Sequence, residues 1–214
     1  RGCGVDSEMQ ILGETGCYAD MTWPTAPFHG AQTRKTNAIY ECGAPLGERA
    51  PHRKGREVEV GHAARTFPIM VQGALMLDFH APGRHIFIDN SALTASQPTS
   101  LRRLENWKRA GISVKGRPDW VFIKLHCHGM DPRDDEALMG APMQQFLREL
   151  VAGAEARGEI LHFVSAREMA NIIFAACDGR EGNPGDYRDY LFKRERARPA
   201  NSPRERAAEA VVKG

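Results

Sequence analysis

His126 and His128 stand two positions apart at the end of an apolar run and are the residues of this chain best suited to moving protons. An unperturbed imidazole titrates near about 6.5, so it can take up and release a proton close to neutral pH. Lys124 precedes His126 by two positions and falls on the same alternating face. Together the three form a candidate ligand site. The ordinary alternative is that they line the wet end of a strand. A fourth ionisable residue, Asp20, sits near the end of an earlier strand-like stretch, where a turn or capping role competes with a catalytic one.

The element that must position the histidines is residues 120–129, Trp-Val-Phe-Ile-Lys-Leu-His-Cys-His-Gly, preceded by Gly116-Arg117-Pro118-Asp119. Its Val, Ile, Phe and Trp content between turn signals reads as a buried strand. Alternation puts Val121, Ile123, Leu125 and Cys127 on one side and Phe122, Lys124, His126 and His128 on the other. The second face therefore changes from apolar to ionisable toward its carboxyl end. In parallel α/β sheets and barrels, ligands bind at the carboxyl ends of strands.

With 214 residues the chain suits one domain with or without a tail and can bury a sizeable core. Its 29 basic and 27 acidic residues give a net charge of +2, so no global field points to nucleic acid or anionic lipid. Five scattered cysteines without a C-x-x-C pair argue against a disulfide framework or a zinc knuckle and favour a cytosol-like, reducing compartment. No run approaches the roughly 18 to 20 apolar residues of a membrane span. The chain opens at Arg1 without an initiator Met, which is compatible with a missing upstream part.

In chain order, residues 6–16 predict a short helix and 17–22 a strand leading into a stiff Trp23-Pro24-Thr25-Ala26-Pro27 loop. Residues 32–40 turn from polar to strand-like, and 43–65 form a long irregular excursion with one short strand at 57–60. Its basic cluster, His52-Arg53-Lys54-Gly55-Arg56, reads as solvated surface more readily than as an anion site. Residues 67–79 predict a buried strand, paired as a hairpin with 85–89. His80 and His85 flank that turn as a weak metal signal. Helices are predicted over 101–110, 142–158 and 165–177, with a short strand at 160–164. Beyond Asp178 the mixed-charge tail is expected to be disordered or loosely helical. Phosphate loops, G-x-S-x-G and H-E-x-x-H are absent from the sequence.

This order of elements resembles the carboxyl-terminal half of a polysaccharide deacetylase, and several phrases strengthen the likeness: residues 12–20, 33–40, 111–120 running into 124–129, and 164–169. The resemblance covers about residues 3–177 and implies an α/β fold, part of a distorted seven-stranded barrel with helices outside. It implies a hydrolase that removes acyl groups from a carbohydrate with a divalent, zinc-like cation. In that family a strand late in the barrel ends in Leu-x-His, and the histidine serves as general acid. Lys124-Leu125-His126 matches best, which assigns the role to His126 with His128 as the alternative register. Asp20, Trp23, Asn37 and Lys124 would then contact the sugar.

The family's catalytic Asp and H-x-x-x-H metal pair have no counterpart here; either they sit on a missing amino-terminal half, the preferred expectation, or the chain has lost the metal. Two other readings compete with hydrolysis. One is a non-catalytic carbohydrate-binding or assembly module of the same fold. The other takes His126-x-His128 as the H-x-H of an amidohydrolase-like metal barrel. A half barrel would expose unpaired strand edges and apolar surface, which is compatible with self-association.

Overall fold

The computed structural model describes residues 7–23, 35–43, 51–53, 55–62, 64, 66–80, 83, 86–129 and 131–191. The Pro24 to Pro27 loop, His85 and all of 44–50 lie outside them. Helix α1, Glu8–Glu14, is followed by strand β1, Ala19–Asp20. Strand β2, Ile39–Glu41, precedes the excursion, and strand β3, Ile69–Val71, follows it. β3 is the middle of a three-stranded sheet, parallel to β1 and antiparallel to β2. Ile69, Met70 and Val71 are all buried, as a strand covered on both faces requires.

The apolar run predicted as one strand over 67–79 divides in two. β3 ends at Val71, and strand β4, Met76–Asp78, pairs antiparallel with strand β5, Phe87–Asp89. The predicted hairpin is present, with Leu77 opposite Ile88. The predicted strand at 57–60 is reduced to single bridges, Glu57 with Tyr40 and Glu59 with Lys115.

Four helices complete the fold: α2, Leu101–Arg109; α3, Asp135–Met139; α4, Ala141–Ala154; and α5, Ala166–Cys177. Ser100 caps α2 by accepting the Arg103 amide. Ser165 and Glu168 form a reciprocal capping box on α5. From Ala170 to Cys177 every residue of α5 is buried, so this helix runs through the core, which also takes in Trp107, Ile112, Val114, Phe122, Phe146 and Leu150. A smaller cluster under α1 contains Met9, Trp23, Tyr40, Cys42 and Met70.

Residues 120–129 do not form the predicted strand ladder. Phe122 N–H donates to the Ile112 carbonyl, and only His126 makes a bridge, parallel to Ala92. The segment's backbone bonds go to two separate neighbours, so no continuous register builds. Residues 160–164 likewise belong to neither sheet, and Ile160 is 82% exposed. Among the described residues the architecture is therefore mixed α/β with two small sheets.

The charged tail is ordered further than expected. A 3-10 turn at Pro184–Tyr187 follows α5, Tyr190 Oη donates to Asp178, and Leu191 N–H donates to the Asn171 side chain. Aromatic burial and these specific bonds offset the segment's high charge. Residues 192–214 lie outside the described ones.

Removing the α5 cap with Ser165→Ala is expected to cost about 1 kcal/mol. Ile173→Ala, in the centre of the same helix, is expected to cost about 2–5 kcal/mol. Urea unfolding followed by far-UV circular dichroism measures both, and equal costs would contradict this account of α5.

Candidate functional site

Asp20 closes β1 and is 7% exposed. Its Oδ1 accepts from the Thr22 N–H and hydroxyl, both at 2.7 Å, and its Oδ2 accepts from the Trp23 indole N–H at 3.1 Å. The turn role and the site role of Asp20 thus coexist, because the bonds that shape the loop also fix the carboxylate. Trp23 is 1% exposed, with its ring stacked on His52 at 3.9 Å between centroids. It lies beneath Asp20 as a packing residue and offers no free ring face to a ligand. Asn37, at a positive φ of 52°, binds Leu75 from both ends of its amide, donating to the carbonyl at 3.1 Å and accepting the N–H at 2.7 Å. That side chain holds the 72–75 segment.

This segment is what brings the focal run into place. A Cβ on Gly73 would sit 2.7 Å from the Lys124 carbonyl oxygen and 3.3 Å from the Ser91 side chain. Only glycine allows this backbone to approach the Lys124 carbonyl and the Ser91 side chain so closely. Ser91 Oγ donates to the Ala74 carbonyl at 2.6 Å, and His126 N–H donates to the Ser91 carbonyl at 3.1 Å. Leu93 N–H returns a bond to the His126 carbonyl at 2.8 Å.

Lys124 and His126 are half-buried, whereas His128 is exposed. Burial lowers the Lys124 amine from its ordinary value, and the negative charge of Asp20 works against that lowering. Asp20 and Lys124 are therefore electrostatic partners across the two segments. The His126 imidazole is also held below its usual value, first by burial and then by the positive charges of Lys124, His128 and Arg103, with Asp89 opposing. A neutral imidazole at neutral pH is an acceptor of protons before it is a donor. Beyond exposed His128, the hydrogen bonds of Arg133 hold the Asp131 carboxyl down to about 2.

Charge thus links these groups in sequence: Asp20 acts on Lys124, and Lys124 and His128 act on His126, with Lys124 and His126 half-buried and His128 exposed. Among the described residues no group of three or more His, Cys, Asp or Glu converges as a metal site. They do not supply the donor set that the family resemblance implies. Gly73, Ser91, Asp89 and Arg103 are the contributors that the sequence reading passed over. Asp89 at the end of β5 was the available signal, since a carboxylate closing an apolar strand needs a partner.

A cleft of about 400 Å³ borders the focal run, lined by Phe122, Ile123, Leu125, Trp107, Phe146 and His162 among others. Its lining is mainly apolar. No protein-family model, curated protein or solved structure matched the chain on comparison.

Because protonating His126 costs more in the folded chain than in the unfolded one, stability is expected to fall as pH drops from the unfolded value of about 6.5 toward the lower folded value. Lys124→Met removes a neighbouring positive charge and should raise the His126 midpoint, as read from its ring resonances by NMR; a lower midpoint would contradict the assignment. Burial pushes the Cys42 and Cys177 thiols up to about 12, whereas Cys127 is exposed. Cys127 should therefore react with a thiol reagent in the native protein, and Cys42 and Cys177 only after unfolding.

Proposed function

We propose that this chain is a carbohydrate-directed hydrolase that removes acyl groups, of the distorted-barrel type that its sequence resembles. The reading is supported chiefly by one observation. A half-buried imidazole, His126, is held neutral beside Lys124, and Lys124 is in turn balanced by the fixed carboxylate of Asp20.

In this reading His126 takes a proton from water as the water oxygen attacks the acyl carbonyl carbon. The carbonyl electron pair moves onto its oxygen, and Lys124 Nζ–H groups donate to that developing oxyanion. Collapse re-forms the carbonyl and breaks the bond to the sugar nitrogen or oxygen. The departing atom takes the bonding pair and receives the proton from His126, leaving a carboxylic acid and a free amine or hydroxyl. The general-acid role carried by the resemblance is thereby the second half of a shuttle, because the lowered imidazole must be charged by the first half. The divalent cation implied by the resemblance would need ligands beyond those the described residues offer.

A non-catalytic sugar-binding module is the weaker reading. Such modules rely on an aromatic face for stacking, and Trp23 is buried against His52.

Acetate release from N-acetylated chito-oligosaccharides and O-acetylated xylan tests the proposal. His126→Ala is expected to lower kcat at least about 100-fold, and Lys124→Met about 10²- to 10³-fold. The wild-type rate should rise with pH through the His126 midpoint. No acetate release from either substrate, or release undiminished in His126→Ala, would overturn the assignment.

A further inference from the structure

We propose that the buried Arg103–Asp89 pair is the positioning device for His126, acting through the backbone of residues 91–93. The inference rests on the reading of His126 as the reacting base.

Arg103 is 3% exposed and Asp89 is fully buried. The guanidinium grips the carboxylate at two points, Nε to Oδ2 at 2.9 Å and Nη2 to Oδ1 at 2.8 Å. Its remaining donors go to backbone carbonyls: Nη2 to Ala92 at 2.8 Å, and Nη1 to Pro98 at 3.0 Å and to Gln97. The Trp107 ring lies 5.0 Å from the guanidinium and holds its plane. On the other side, Asp89 Oδ1 accepts the Ser91 N–H at 2.9 Å. One side chain on α2 therefore fixes the chain from Asp89 to Pro98.

That stretch is what His126 pairs with. The Ser91 carbonyl accepts the His126 N–H, and Leu93 N–H donates to the His126 carbonyl. Ser91 is held at φ 65°, a left-handed conformation that a serine adopts only when its surroundings enforce it. Asp89 and the Ala74 carbonyl, bound to its N–H and hydroxyl, supply that enforcement. A buried ion pair contributes little net stability compared with an apolar replacement of the same shape. What this pair supplies is place: it sets the backbone on which His126 rests, while Lys124, His128, Arg103 and Asp89 are the charges around the ring.

Two variants test this in the full chain. Asp89→Asn combined with Arg103→Gln removes both charges without leaving one buried alone. Arg103→Lys keeps the charge but loses the planar fork that reaches Ala92, Gln97 and Pro98. In each, the His126 and Leu93 amides are expected to exchange with solvent at least about tenfold faster while the α5 core amides keep their protection. The His126 ring midpoint should shift as well. If the double variant does not fold, Arg103→Lys decides.

Wild-type exchange and titration at His126 in a folded variant would overturn the proposal. So would a uniform loss of protection across the core, which marks a purely structural role. These readings need no substrate, so they stand or fall separately from acyl release.

Discussion

The close approach of Gly73 to the Lys124 carbonyl and the Ser91 side chain is the constraint on which the candidate site depends. A side chain there would meet the Lys124 carbonyl at 2.7 Å and crowd Ser91, so a single missing Cβ lets the turn after β3, the loop after β5 and the focal run share one place. Asn37 reaches 38 residues along the chain to hold this turn at Leu75. The two small sheets are thereby tied together by loop contacts and side-chain bonds instead of a shared ladder. Loop segments carrying function on a rigid support are a common outcome of such geometry.

Charge is handled in two different ways around that point. Arg103 and Asp89 are buried and saturate one another, which leaves them chemically inert and geometrically fixed. Lys124 and His126 are only half-buried and are left without such saturation, so their proton affinities fall and they keep a capacity to act. Asp20 stands between these cases: its oxygens are engaged by Thr22 and Trp23, yet its charge is felt at Lys124 and at the Cys42 thiol. The contrast follows from depth and from the number of donors each carboxylate collects.

The focal run also borders an apolar cleft: Phe122, Ile123 and Leu125 line it, and α2 and α4 close it. Residues 160–164 form the other wall of that cleft, with Phe163 tied through its carbonyl to Arg188. The ordered segment after α5 thus braces the cleft.

Helices and turns were legible from the residues because their causes are local. Ser100 and Ser165 announce their caps, the apolar spacing of α4 and α5 announces their buried faces, and the β4–β5 hairpin follows from its two short apolar runs. The sequence could not say that residues 120–129 would bond to two different neighbours, that Trp23 would be sealed by His52, or that Arg103 would reach Asp89. Those outcomes join residues far apart in the chain, and only the folded arrangement sets which backbone lies against which. The sequence determined which groups can carry a proton; tertiary contacts, through burial and neighbouring charge, decided that His126 sits within the site and His128 at its edge.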